Sequence, residues 1–333
     1  MTKTVWGVLS TARIGINKVI PALMQSDMIR VKGIGSRSLE AAQEAVGKLG
    51  LEQAYGSYEA LLADPEIEVI YNPLPNHLHV PMTLAAARAG KHVLCEKPMA
   101  LNAAEIDQLS EFDGKILIQE AFMVRHSTQW IEARRLIREG TIGAPHMVQS
   151  YFSYENLDDQ NIRNKVEWGG GGLMDIGCYC IVAGRYFFEA EPVRAMALAE
   201  RSAQFGTDVI TSGMLDFGQG RQLTFAVSTM LGRSQCVNIF GPKARMSLPI
   251  PFNQPVDSPS HIVVDSGQTL DGGQAVTHTL QTSNQYQLMG EAFSRAVRGD
   301  APLLYGLDDA RANMRIIDAL FASETSGRWE AVG

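Results

Sequence analysis

Apolar and polar positions change period repeatedly along the first third of the chain. Short, nearly continuous apolar runs, "TVWGVLS", "IRVKGIG", "IEVIYN", "KHVLCEK" and "KILIQEAF", alternate with stretches at helical spacing over 12–25, 39–49, 58–63, 79–89 and 103–111. Strands apolar on both faces, each followed by a helix, predict a parallel sheet covered on both sides by helices: a doubly wound α/β (Rossmann) domain over residues 1–122. An amphipathic helix over 127–139 stops at "EGTIGAP" and is followed by a strand, "HMVQSYFSY". A loop through "NLDDQNIRNKVEWGGGG" leads into a helix over 173–188, after which the pattern changes to "VRAMALAER", "TDVITSGMLDF", "RQLTFAVST", "SQCVNIFG" and "ARMSLP". Strands joined by Gly-containing turns, such as 217–220, predict a large, open, mainly antiparallel sheet. Two helices, over 285–297 and 308–323, close the chain with Ile316, Ala319 and Leu320 spaced to meet Met289 and Phe293. Residues 123–333 are expected to form a second, α+β domain.

Composition narrows the class without changing this picture. The chain has 333 residues, 45% hydrophobic and 20% charged, with no low-complexity tract, as in an ordinary globular protein of about two domains. A net charge of −7 with no Lys/Arg block disfavours a nucleic-acid partner. No apolar run approaches the roughly 18 residues of a membrane span. Met1-Thr2-Lys3-Thr4 enters the first strand without the features of a signal peptide, so a cytoplasmic location is expected. Cys95, Cys178, Cys180 and Cys236 lack metal-site or redox spacing and read as reduced, buried side chains; no metal is expected.

The first βα turn raises the first chemical question. A dinucleotide-binding fold keeps G-x-G-x-x-G there, whereas this frame reads Ser10-Thr11-Ala12-Arg13-Ile14-Gly15. Ser10 and Ala12 are the next smallest residues and Gly15 keeps the third position, so phosphates can reach the N–H groups at the helix N-terminus. The hydroxyls of Ser10 and Thr11 and the cation of Arg13 add to these, and Ser10 to Ile14 are the candidate cofactor contacts. Taken alone, the turn equally fits a plain strand-to-helix connection. After the second strand stand Ser36, Arg37 and Ser38, where an NAD site has an acid for the ribose 2′-OH. The absent carboxylate and the guanidinium of Arg37 favour NADP over NAD.

The segments "PLPNHLHVPMTLAAARAGKHV", "GKHVLCEKPMAL" and "GGGGLMDIGCYC" resemble the Gfo/Idh/MocA oxidoreductases over nearly the whole chain. Glu96-Lys97-Pro98 is similar to the recurring catalytic-strand motif of that superfamily, and the glycine run before Asp175 and Tyr179 is similar to its second-domain catalytic helix. "STARIG", "SRS", "EAFMVRH" and "DIGCY" most resemble the branch holding glucose-fructose oxidoreductase, dimeric dihydrodiol dehydrogenase and NADP-dependent D-xylose dehydrogenase. The resemblance implies an NADP(H)-dependent oxidoreductase of a sugar, cyclic polyol or vicinal diol or carbonyl compound, assembled as a homodimer or homotetramer through the second-domain sheet. It also implies cofactor contacts from Leu74, Asn76, His79, Glu96 and Lys97. Glucose-fructose oxidoreductase retains its cofactor with an N-terminal arm that has no counterpart here, so an exchangeable NADP is expected.

The residues support that chemistry on their own terms. Strand ends of a doubly wound sheet are where ligands bind, and Lys97 falls at one. Asp175 and Tyr179, four apart, share a helix face. An alcohol that gives up a hydride must also lose a proton, and a tyrosine, with an ordinary pKa of about 10, becomes a usable base beside an ammonium. Lys97, Tyr179 and Asp175 are the candidate catalytic residues, with Glu120, Arg125, His126 and Arg163 as candidate substrate contacts. Much of the superfamily has histidine where Tyr179 stands, whereas the dihydrodiol-dehydrogenase-like branch has tyrosine. The run Gly169 to Gly172 fits either a flexible loop or a close approach of cofactor or substrate. The alternative is a non-catalytic, NAD(P)-sensing regulatory protein of the same fold, and retention of both Lys97 and Tyr179 argues against it.

Overall fold

A computed structural model describes residues 3–269 and 271–333. Met1 and Thr2, part of the reading of the chain start, lie outside the described residues. Contacts gather the chain into two units, one running to Met123 and resuming over Tyr286–Arg311, the other comprising Val124–Gln285 and Ala312–Gly333.

The first unit holds six parallel strands, β1 (Thr4–Leu9), β2 (Ile29–Gly35), β3 (Gln53–Tyr55), β4 (Val69–Asn72), β5 (His92–Cys95) and β6 (Ile118–Glu120), in the order β3-β2-β1-β4-β5-β6. The order reverses between β1 and β4, which makes the carboxyl ends of those strands a topological switch point. Helices α1 (Ile20–Leu23), α2 (Leu39–Leu49), α3 (Tyr58–Leu62), α4 (His79–Arg88) and α5 (Ala103–Asp107) connect them. Side-chain oxygens of Ser38, Ser57 and Asn102 cap α2, α3 and α5 by accepting the N–H of Ala41, Ala60 and Glu105. The helix expected over 12–25 instead opens with a π turn, Gly15–Val19, before α1. Pro21 is the second residue of α1, and a wider turn before it accommodates a residue that cannot donate a backbone hydrogen bond.

Residues 286–311 return to this unit, although a cut at residue 122 would place them in the second. Trp6 Nε1 donates to Ser294 Oγ at 3.1 Å, and its ring meets Phe293 edge-on at 5.9 Å. Gly290 allows close approach, since a Cβ there would lie 2.1 Å from Leu23 Cδ2.

A charged cluster beside β2 sets an acid limit on the stability of this unit. Burial alone would raise the Asp64 pKa, but hydrogen bonds from Lys32, Tyr55 and the Glu66 N–H together outweigh it and hold the carboxyl at about 2. Asp64 meets Lys32 Nζ at 2.7 Å. A carboxyl depressed below its unfolded value stabilises the fold above the unfolded pKa of about 4, and that contribution disappears as pH falls toward the folded value. Asp64→Asn is therefore expected to cost on the order of 2 kcal/mol at pH 7, with the gap to the unmutated protein closing between about pH 4 and pH 2. Urea unfolding at several pH values checks this, and a gap independent of pH would refute it.

The second unit is built on nine strands. They are β7 (Met147–Glu155), β8 (Arg194–Arg201), β9 (Asp208–Asp216), β10 (Gln222–Ser228), β11 (Met230–Phe240), β12 (Arg245–Leu248), β13 (Ser260–Asp265), β14 (Val276–Leu280) and β15 (Glu330–Ala331), ordered β14-β13-β12-β11-β7-β10-β9-β8-β15. β7 and β10 pair in parallel and the remaining pairs are antiparallel. The last three strands extend the expected sheet; they are short, and none carries more than three consecutive apolar residues, so their apolar signal is weak. Helices α6 (Thr128–Arg138) and α7 (Cys178–Phe188) lie in this unit, and every residue of α7 is buried, as its apolar circumference requires. Helices α8 (Gln285–Val297) and α9 (Leu307–Ser326) complete the chain.

The four cysteines are free thiols, but Cys236 is half-buried, a correction to its expected full burial. Among the described residues no helix is long and apolar enough to cross a membrane, and no three His, Cys, Asp or Glu side chains are grouped to hold a metal.

Candidate active site

In the first unit the turn after β1 does without its first two glycines in an identifiable way. Ser10 adopts the left-handed region at φ 65°, normally a glycine conformation, and its Oγ accepts the Ala12 N–H at 3.2 Å. Its own N–H donates to Gly35 O at 2.7 Å, tying the turn to the end of β2. Thr11, Ala12 and Ile14 are half-buried and Arg13 is exposed, so the backbone of the turn remains open. The first N–H groups of a helix have no acceptor within it, whereas the Ile16 N–H already donates to Ala12 O at 3.1 Å. Small residues, open backbone and the switch-point location together fit a dinucleotide pyrophosphate.

At the end of β2 the three candidates separate. Ser36 Oγ accepts the Ser38 N–H at 3.3 Å, and Ser38 Oγ caps α2 and contacts Glu40, so both hydroxyls are engaged within the turn. Arg37 is exposed and hydrogen-bonds the phenol of Tyr58. Burial raises the Tyr58 pKa, while Arg37 opposes the shift. Tyr58 escaped the sequence reading because its place in a short helix carries no chemical signature.

At the carboxyl edge of β4, β5 and β6 the candidates again divide. Glu96 Oε1 accepts from Tyr71 Oη at 2.6 Å, and Oε2 accepts the Lys97 N–H at 3.3 Å, which fixes the backbone from which the half-buried Lys97 projects. Glu120, the last residue of β6, and His79, the first of α4, are both buried. Glu120 Oε1 accepts the Met99 N–H at 2.8 Å. The ring nitrogens of His79 lie 2.7 Å from Pro98 O and 2.6 Å from Leu74 O, tying the loops after β4 and β5 together. Burial draws the His79 pKa down, while the two carbonyls at its ring nitrogens oppose the shift. Leu74 is buried and Asn76 half-buried beside it.

The second unit carries the remaining candidates. A π turn, Leu173–Gly177, runs directly into α7, placing Asp175 in the first element and Tyr179 near the start of the second. The Tyr179 ring lies 6.0 Å from Phe152 and 5.5 Å from Phe252, an aromatic seat that holds its orientation. Asp175 is gripped at both oxygens: Arg163 Nε meets Oδ1 at 2.9 Å, and the Tyr154 hydroxyl donates to Oδ2. Burial first, then the Asp175 charge, push the Tyr154 pKa far up, so the phenol stays protonated and donates. Tyr154 falls at the end of an apolar strand, and only the fold brings it to Asp175. Arg125 and His126 are buried in a 3₁₀ turn, Met123–His126. The loop carrying Arg163 is ordered by buried Asn164, whose Nδ2 donates to the carbonyls of Asn156 and Asp158 at 3.1 and 2.8 Å.

Residues 6–113 match the oxidoreductase family with an NAD-binding Rossmann fold, and residues 130–247 match the GFO/IDH/MocA C-terminal domain. An uncharacterized oxidoreductase of Rhizobium meliloti is 42% identical over 98% of each chain. A D-xylose 1-dehydrogenase (NADP(+)) of Haloferax volcanii is 33% identical over 97% of this chain and 98% of its own. The crystal structure of aldose-aldose oxidoreductase from Caulobacter crescentus, complexed with glycerol, superposes with a TM-score of 0.91 at 25% identity, covering 99% of this chain and 100% of that one. With both halves matched and relatives aligned end to end, the chain belongs to the Gfo/Idh/MocA oxidoreductases, an NAD(P)-binding Rossmann fold followed by the C-terminal domain of that family.

Proposed function

We propose that the protein is an NADP(H)-dependent oxidoreductase that moves a hydride between nicotinamide and a sugar, cyclic polyol or vicinal diol or carbonyl substrate. What carries the reading is the pair of half-prepared groups: Lys97 on a backbone fixed by Glu96 at the carboxyl edge of the parallel sheet, and Tyr179 seated between Phe152 and Phe252. The nicotinamide supplies or accepts the hydride. Tyr179 Oη takes the proton from the substrate hydroxyl in oxidation and returns it in reduction. The Lys97 ammonium stabilises negative charge on the phenol and substrate oxygens as that proton moves. Asp175, already held by Tyr154 and Arg163, orients a substrate hydroxyl. The similarity to a D-xylose dehydrogenase and an aldose-aldose oxidoreductase supports a sugar as substrate. Turnover assayed across aldoses, inositols, dihydrodiols and dicarbonyls with NADP(H) tests the reading; tight NADPH binding with no turnover on any of them would favour the regulator.

The cofactor preference has its own test. With Arg37 exposed after β2 and no carboxylate at 36–38, NADPH is expected to bind more tightly than NADH. Arg37→Ala should narrow that gap by about 1 to 3 kcal/mol, the scale of a charge-assisted contact. Fluorescence titration of both nucleotides measures it, and equal affinities in the unmutated protein would refute the preference.

A further inference from the structure

The glycine run before Asp175 and a buried carboxylate far along the chain explain each other. Asp208, at the start of β9, is 1% exposed. Its Oδ2 accepts the Leu173 N–H at 2.7 Å and the Thr211 hydroxyl at 2.7 Å. Gly171 has φ 121°, and a Cβ there would lie 2.1 Å from Asp208 Oδ1; one on Gly172 would lie 3.3 Å from Oδ2. Gly171 and Gly172 therefore leave the space that this carboxylate fills. Leu173 is the first residue of the π turn that bears Asp175 and leads to Tyr179, and the Asp175 N–H in turn donates to Gly171 O at 3.0 Å. Burial raises the Asp208 pKa, whereas the bonds from Thr211 and Leu173 and the charge of Arg201 oppose this. Nothing in the proposed chemistry uses this acid, yet through it β9 grips the start of the helix.

We infer that Asp208 is a positioning residue for the reaction, setting the π turn so that Asp175 and Tyr179 present their side chains at the correct depth. The effect on turnover rests on the role proposed for Tyr179. Asp208→Ala removes the acceptor of the Leu173 N–H; Asp208→Asn keeps a carbonyl oxygen in its place. Misplacing a catalytic group by about 1 Å can cost roughly a hundredfold in rate.

The experiment measures kcat, substrate KM and NADPH affinity of the full-length protein, together with hydrogen exchange of the peptide covering 171–179. Asp208→Ala is expected to lower kcat about 10- to 100-fold, leave NADPH affinity within about twofold and speed exchange in that peptide at least about tenfold, with Asp208→Asn restoring most of both losses. Thr211→Val, which removes one bond to the carboxylate while keeping its shape, should give the same changes in smaller measure and remains informative if the alanine variant does not fold. Unchanged exchange in the folded variants would overturn the inference. Fast exchange with normal kcat would overturn it as well, provided that Tyr179→Phe is itself inactive. If Tyr179→Phe is active, the role given to the tyrosine has failed, and faster exchange still supports Asp208 as the residue that sets the helix.

Discussion

Tyr179→Phe is expected to lower kcat by at least about a hundredfold while leaving the fold and NADPH affinity nearly intact. The ring that packs against Phe152 and Phe252 is retained, so the aromatic seat survives. Only the hydroxyl is lost, and a buried hydroxyl is typically worth about 1 kcal/mol of stability. A tyrosine that merely fills the core would show the opposite pattern, a small drop in melting temperature with normal turnover. The pH profile separates the two further. In the direction of oxidation the base must be unprotonated, so kcat rises with pH in the unmutated protein, and the phenylalanine variant should lack that limb. Steady-state rates across pH on the substrate found by screening decide it, and superimposable profiles would remove Tyr179 from the mechanism.

Lys97→Met should have an effect of the same order through a different route. Methionine keeps the length of the side chain and removes its charge. The backbone remains anchored, because the Lys97 N–H donates to Glu96 Oε2 and the next loop residues are held through Met99 to Glu120 and through Pro98 O to His79. Turnover is expected to fall at least about a hundredfold, with NADPH still bound within about tenfold of normal. If lysine and tyrosine act as one proton-handling unit, the double variant loses little beyond the worse single one. Additive losses would mean two separate contributions, and near-normal turnover in Lys97→Met would exclude the lysine.

The candidate site residues stand out along the chain because their signals are local. Lys97 lies two residues beyond β5, and Asp175 and Tyr179 lie four apart behind a glycine run, so each position follows from a strand end or a helix period. The same logic does not say what His79 and Glu120 bond to. Polar side chains at strand ends can turn outward to a ligand or inward to the loops, and spacing does not distinguish the two. Here the loops after β4 and β5 have carbonyls and amides that need partners, and His79 and Glu120 serve them. Asp208 and Tyr154 carried no usable signal at all. One opens a strand, the other nearly ends one, and their partners lie 35 and 21 residues away.

The sequence by itself determined the alternation of strands and helices, hence a parallel sheet with five of its six strands and the mainly antiparallel second sheet; the short strand Gln53–Tyr55 and the strand order came only with the structure. The alternation and the two sheets follow from period and turn chemistry, which act over a few residues at a time. Tertiary structure alone decided that Ser10 replaces a glycine by taking a left-handed conformation, and that residues 286–311 return to the first unit through Trp6 and Ser294, 288 positions apart. It alone decided, too, that Gly171 and Gly172 leave room for a carboxylate from β9. The reason is physical: burying an acid or closing a long loop depends on which distant groups can satisfy it, and that is settled when the layers pack, not by the order of residues along one element.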